Sequence, residues 1–128
     1  MRILVMDDES AVRDVIGSML AKSGAEVDTA STCAEAFSLL DEGRYDWVIL
    51  DHCLPDGDGL DVLKKVGVLQ PDARAIMITG DADVEQLCEE ALTLGAEGVL
   101  AKPFCLQELL DRLRVTPRAG RAPTSPGQ

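Results

Sequence analysis

The sequence predicts one open α/β domain, in which helices cover both faces of a mostly parallel sheet. A chain of 128 residues suits a single domain with one core. Its composition, 46% hydrophobic and 27% charged, is typical of globular proteins. The hydrophobic pattern alternates between short continuous apolar runs and segments with helical spacing, and continuous runs of this kind are typical of strands buried on both faces.

Five short apolar runs are the predicted strands. They cover residues 3–6, 27–30, 47–50, 75–78 and 99–101. The second run is the weakest of the five. Each run is followed by a segment with helical periodicity, so the chain consists of five strand–helix units.

Five amphipathic segments are the predicted helices. A capping box at residues 32–35 begins the second, and Asp58 can cap the third. Gly24 and Gly95 follow the first and fourth, where glycine commonly ends a helix. The apolar stripes are Val12, Val15, Ile16, Met19 and Leu20; Phe37 and Leu40; Leu60, Leu63 and Val66; Val84, Leu87, Cys88, Ala91 and Leu94; and Leu106, Leu109, Leu110 and Leu113.

The number of units indicates the topology. Five strand–helix units joined by right-handed crossovers form an open sheet, and so few strands favour the doubly wound, flavodoxin-like order 2-1-3-4-5 over a barrel. Periodicity alone does not fix this order. Residues 1–115 form the predicted domain. Residues 116–128 have no apolar stripe, so we expect a flexible C-terminal tail or a truncated linker.

Charge and cysteine content exclude several classes of protein. The net charge is -11, and residues 116–128 contribute only arginines to it, so the predicted domain is strongly acidic and should not bind nucleic acid directly. The four cysteines show no C-x-x-C pairing, which indicates reduced thiols rather than disulfides or a zinc site. The first apolar run is too short for a signal peptide or membrane span, so we expect a cytoplasmic protein.

Polar residues interrupt the apolar pattern at one end of the strands, where open α/β sheets bind ligands. They are Asp7, Asp8 and Glu9 after the first strand, Asp51 after the third, Thr79 after the fourth and Lys102 after the fifth. Clustered carboxylates repel one another unless a cation joins them, and Mg²⁺ prefers such oxygen ligands. A lysine and a hydroxyl suit a phosphoryl group, and an aspartate can act as its nucleophile. This set predicts a phosphoryl-transfer site.

Four motifs in this order resemble the receiver domain of bacterial two-component response regulators. They are Asp7-Asp8, Asp51 followed by Leu54-Pro55 and Asp58-Gly59, Thr79-Gly80, and Lys102-Pro103-Phe104. The resemblance covers residues 1–115. It implies that Asp51 accepts a phosphoryl group from the phosphohistidine of a sensor histidine kinase or phosphotransfer protein. It also implies a signalling module that catalyses only its own phosphotransfer and dephosphorylation, and is otherwise not an enzyme.

The resemblance also implies roles for the other residues of the site. Asp8 and Asp51 would bind Mg²⁺ directly together with the backbone carbonyl of Cys53, and Asp7 would act through water. Lys102 would contact the phosphoryl group and would precede a cis proline. Thr79 would move toward the phosphoryl group and carry the switch to the surface of the fourth helix, fifth strand and fifth helix, where an output domain or a second copy would bind.

Some positions depart from the family pattern or have a simpler interpretation. Val99 stands where receivers usually have Tyr or Phe, so the aromatic half of the switch is absent. Asp56 and Asp58 are interpreted as turn and cap residues. His52 should point away from the Asp51 side chain, and the Cys53 thiol has no assigned role.

Two other functions stay open. A pseudo-receiver would act as an interaction module without phosphate, although the acids and lysine are present. A small aspartate-nucleophile phosphatase is less favoured because residue 9 is Glu, where that class has a second Asp.

Overall fold

The computed structural model describes residues 1–80 and 84–115; the tail predicted at residues 116–128 lies outside them. The strands are β1 Arg2–Met6, β2 Glu26–Ala30, β3 Trp47–Asp51, β4 Cys53–Leu54, β5 Gly57–Asp58, β6 Arg74–Thr79 and β7 Val99–Ala101. The helices are α1 Ser10–Lys22, α2 Cys33–Glu42, α3 Gly59–Leu69, α4 Val84–Thr93 and α5 Leu106–Val115. Each predicted strand and helix is present. Among the described residues, no helix has the length and apolarity that a membrane span requires.

The main sheet has five parallel strands in the order β2-β1-β3-β6-β7. Counting only the strands of this sheet along the chain, the order is 2-1-3-4-5, as predicted. The difference in labels comes from β4 and β5, which form a separate two-stranded antiparallel hairpin directly after β3. The sequence predicted only a turn here, because two-residue strands carry no hydrophobic period.

The register brings the predicted polar residues to one edge of the sheet. Met6, the last residue of β1, pairs with Leu50 of β3, and Asp51 pairs with Ile78 of β6. Thr79 pairs with Ala101 at the end of β7. Because all five strands are parallel, the connections that leave their carboxyl ends share this edge.

Two hydrophobic layers lie on opposite faces of the sheet, as alternating strand side chains require. One layer packs against α2, α3 and α4, and the other packs against α1 and α5. The stripe predicted for α1 is wrong at one position. Val15 is 51% exposed, whereas Ile16 and Leu20 are buried.

Gln70, which ends α3, is a buried polar side chain that joins three backbone groups. Its Nε2 donates to the carbonyls of Leu40, at 2.8 Å, and Gly43, at 2.6 Å. Its Oε1 accepts from the amide of Tyr45 at 2.8 Å. These bonds hold the connection between α2 and β3 against the end of α3.

We expect Gln70→Leu to destabilise the protein. Leucine fills a similar volume but leaves two carbonyls and one amide without their partner, and each buried unsatisfied group costs about 1–3 kcal/mol. The expected loss is about 3 kcal/mol in the free energy of unfolding, measured by urea denaturation. The exposed Gln107→Leu is the control, with an expected change within about 0.5 kcal/mol. Equal stabilities for the two variants would contradict this role of Gln70.

Candidate functional site

The candidate site lies at the carboxyl edge of the sheet and begins with Asp7, directly after β1. Asp7 is fully buried, and its amide donates to the carbonyl of Ala30 at 3.1 Å. Its Oδ1 accepts from the amide of Glu9 at 2.9 Å, and its carbonyl accepts from Arg13 Nη1 at 2.7 Å. Backbone and side chain are therefore both fixed, with the second carboxylate oxygen directed into the site.

Three carboxylates meet at this edge. One oxygen each from Asp7, Asp8 and Asp51 lies within 4.8 Å of the other two, with Asp7 and Asp51 buried and Asp8 exposed. Two oxygens on opposite sides of a Mg²⁺ ion lie about 4 Å apart. The three carboxylates therefore need to move only slightly closer together to bind one ion. Asp7 Oδ2 is buried and accepts no hydrogen bond. The donor set therefore fits a divalent cation.

Lys102 is the cation of the site. Its Nζ lies 2.9 Å from Asp7 Oδ2, 3.1 Å from Glu9 Oε1 and 3.4 Å from Asp51 Oδ2. The contact with Asp7 is an ion pair without the angles of a hydrogen bond, whereas the other two are hydrogen bonds. Burial lowers the pKa of Lys102, but its acidic neighbours, led by Asp7 and Glu9, outweigh this and hold that pKa above its ordinary value. The lysine is therefore charged.

Asp51, the last residue of β3, has a perturbed carboxyl group. Burial and then the negative charge of Asp7 raise the pKa of Asp51 to about 6, although Lys102 opposes the shift. The metal-free site thus carries excess negative charge at neutral pH. A cation would relieve this repulsion.

This shift predicts how stability depends on pH in metal-free buffer. The pKa of Asp51 is about 6 in the folded protein and 3.8 in the reference state, so the folded protein retains the proton to higher pH. The protonated Asp51 carboxyl group therefore contributes its full stabilisation below pH 3.8, and this stabilisation is lost as the pH rises through about 6. We expect the difference in unfolding free energy between wild type and Asp51→Asn, measured in EDTA, to show this fall. A flat difference would contradict the shift.

The β4–β5 hairpin holds the loop that follows Asp51. The amide of Cys53 donates to Asp51 Oδ1 over a long 3.5 Å, and the amide of Gly59 donates to the carbonyl of His52 at 2.8 Å. A Cβ on residue 59 would collide with the carbonyl oxygen of Asp51, so only glycine fits there. Metal binding by the Cys53 carbonyl stays a prediction.

The two other acids of this loop act as helix caps. Asp58 caps α3 by accepting from the amide of Leu60 at 2.9 Å, as predicted. Asp56 instead accepts from the amides of Cys33, at 2.7 Å, and Ala34, at 3.1 Å, in the first turn of α2. It therefore joins the loop to a different helix. His52 Nε2 lies 3.5 Å from Asp58 Oδ1.

The fourth and fifth strands of the sheet complete the site. Thr79 is buried at the end of β6, and its carbonyl accepts from the amide of Lys102 at 2.6 Å. The peptide bond from Lys102 to Pro103 is cis. Val99, at the usual aromatic position, is partly buried and packs against the layer that contains Met77.

Two contacts of this site are not predictable from sequence spacing. From the sequence, Glu9 is one of the acids after the first strand and a departure from the phosphatase pattern, whereas in the structure its carboxylate binds Lys102. The sequence predicts a turn residue at Asp56, whereas in the structure it accepts from two amides in the first turn of α2. For Glu9 a signal existed, because Glu is a poor capping residue at the position before a helix.

A doubly wound sheet with clustered acids, a lysine and a threonine at its carboxyl edge is the arrangement of a receiver-type signalling domain. The family model for the response regulator receiver domain matches residues 3–114. The chain belongs to this family, whose members act in phosphorylation-dependent signalling.

Particular relatives support this assignment. The chain is 35% identical over 126 residues to the transcriptional regulatory protein CutR of Streptomyces coelicolor, covering 98% of this chain and 58% of CutR. It is 37% identical over 113 residues to the response regulator MprA of a Mycobacterium species, covering 88% of this chain and 49% of MprA. The chain thus spans about half the length of these curated relatives.

A solved structure shows the same fold. The response regulator from Burkholderia pseudomallei "with a phosphorylated aspartic acid, calcium ion and citrate" superposes with a TM-score of 0.82 at 29% identity. The match covers 89% of this chain and 66% of that protein.

Proposed function

We propose that Asp51 accepts a phosphoryl group from the phosphohistidine of a sensor histidine kinase or phosphotransfer protein. The observation that carries this proposal is the position of the Asp51 carboxylate, which is buried at a strand end among acids and 3.4 Å from Lys102. A carboxylate oxygen attacks the phosphorus, the P–N bond breaks, and the imidazole leaves with the electron pair. The product is an acyl phosphate on Asp51.

The surrounding residues would bind and orient the phosphoryl group. Lys102 supplies a point charge to its oxygens, and Thr79, at the adjacent strand end, supplies a hydroxyl donor. Asp8 and Asp51, with the Cys53 carbonyl, would hold Mg²⁺ directly and Asp7 would hold it through water. The bound ion would neutralise charge that develops on the phosphoryl oxygens.

We propose that the receiver domain comprises residues 1–115 and signals to an output domain or a second copy through the surface of α4, β7 and α5. The module would turn over no substrate beyond its own phosphoryl group. The comparison supports a regulatory role, because CutR is a transcriptional regulatory protein and MprA is a response regulator. This chain matches about half of each. We propose the cytoplasm as the compartment, because the four cysteines, all among the described residues, form no disulfide with one another.

Labelling by acetyl phosphate tests the proposal. The protein is incubated with this small phosphodonor with Mg²⁺ or with EDTA, and its mass is measured. We expect one added phosphoryl group in Mg²⁺ and none in EDTA. An unchanged mass in Mg²⁺, together with no binding of beryllofluoride, would favour the pseudo-receiver instead.

A further inference from the structure

The ammonium group of Lys102 is held by three carboxylates before any phosphoryl group is present, through two hydrogen bonds and one ion pair. It has three N–H donors, and three carboxylates lie within 3.4 Å of its nitrogen, namely those of Asp7, Glu9 and Asp51. A phosphoryl group on Asp51 that takes a short contact with this lysine therefore competes with these carboxylates for it.

The three carboxylates differ in their freedom to leave. Asp7 is fully buried and is held by hydrogen bonds to its side chain and backbone. Asp51 itself carries the incoming group. The side chain of Glu9 is 61% exposed, so its carboxylate can move into water at little cost.

The position of Glu9 in the chain also frees its side chain for this contact. Glu9 immediately precedes α1 with an extended backbone, and its side chain makes no capping hydrogen bond to the helix. Instead Oε1 accepts from Lys102 Nζ at 3.1 Å. The amide of Glu9 is bound to Asp7 Oδ1, which holds the residue beside the acid cluster.

We propose that Glu9 is a displaceable counter-ion that holds Lys102 in the unphosphorylated state, and that a phosphoryl group on Asp51 takes its place. This inference rests on the proposed function of Asp51 and Lys102. Glu9 is a positioning residue, because it acts through Lys102 and touches no reacting atom. It lowers the affinity of the site for a phosphoryl group, and so sets how readily the receiver is activated.

A titration with beryllofluoride at saturating Mg²⁺ tests this role. Glu9→Gln removes the charge, whereas Glu9→Asp keeps the charge but is one methylene too short to keep Lys102 in hydrogen-bond reach. We expect both variants to bind beryllofluoride about threefold more tightly than wild type, the size of one exposed ion pair. The exposed Glu42→Gln at the far end of α2 changes the net charge equally and should bind as wild type does.

The outcomes separate the two proposals. If wild type fails to bind beryllofluoride, the function proposed for Asp51 fails. If wild type binds and Glu9→Gln binds equally, the counter-ion role is overturned. If Glu9→Gln binds more tightly but Glu9→Asp behaves as wild type, the charge of Glu9 acts on the ligand directly, and the role through Lys102 is again overturned.

A second measurement needs neither metal nor phosphate analogue. In protein labelled with ¹⁵N-lysine, the Lys102 ammonium signal is assigned by its absence in Lys102→Arg. We expect Glu9→Gln to shift this signal and speed its exchange with water in EDTA, and Glu42→Gln to leave it unchanged. A Lys102 signal that is the same in wild type and Glu9→Gln would overturn the proposal.

Discussion

Asp51→Asn is expected to abolish labelling by acetyl phosphate completely. The amide keeps the shape of the side chain but is not a nucleophile that forms an acyl phosphate. The variant should stay folded, because the substitution removes a buried charge that Asp7 repels. Mass spectrometry after incubation in Mg²⁺ measures the effect, and denaturation in EDTA measures the folding.

The matched control is Asp58→Asn, seven positions along the same loop. Asp58 caps α3 through the amide of Leu60, and asparagine caps helices about as well as aspartate. Labelling should therefore persist in this variant. If Asp51→Asn is still labelled, another residue accepts the phosphoryl group and the assignment of Asp51 is wrong.

Lys102→Met is expected to cause a large loss of stability in metal-free buffer. The lysine is the cation beside Asp7 Oδ2, which is buried and accepts no hydrogen bond. Removing one partner of a buried ion pair leaves an uncompensated charge, which costs about 3–5 kcal/mol. We expect a loss near the lower bound, because Glu9 is exposed and can turn to water.

Denaturation with and without Mg²⁺ measures this effect. A cation at the acid cluster replaces part of the lost positive charge, so Mg²⁺ should stabilise Lys102→Met more than it stabilises wild type. Lys64→Met on the exposed face of α3 is the control, with an expected change within about 0.5 kcal/mol. A Lys102→Met protein as stable as wild type in EDTA would show that Lys102 does not balance these acids.

The strands and helices were predictable because their signals are local. A short apolar run of three or four residues indicates a buried strand, and each of the five predicted runs became one, including the weaker run at residues 27–30. The predicted Thr32 cap of α2 is present, since its side chain accepts from the amide of Glu35 at 3.1 Å, and the Glu35 side chain accepts from the amide of Ser31 at 2.8 Å. Val15 lies in the predicted apolar stripe of α1 but is exposed. Helical spacing defines which residues share a face, but it does not determine how much of that face the neighbouring elements bury.

The topology also made it predictable that the polar residues of the site lie close together. Parallel strands send their carboxyl ends to one edge, so acids after β1 and β3 and a lysine after β7 had to share it. Sequence spacing does not predict which of the side chains at that edge contact one another. Lys102 and Glu9 are 93 positions apart, and Asp56 reaches Cys33 across 23 positions.

The sequence by itself determined the element order and the chemical types at the carboxyl edge, because both follow from short-range patterns. Only the tertiary structure decided which carboxylates contact Lys102 and that Asp56 caps α2. It also decided that Asp7 is buried whereas Glu9 is exposed. The physical reason is that burial and pairing of charges depend on distances between loops. Such distances are set by the packing of the whole sheet and its helices.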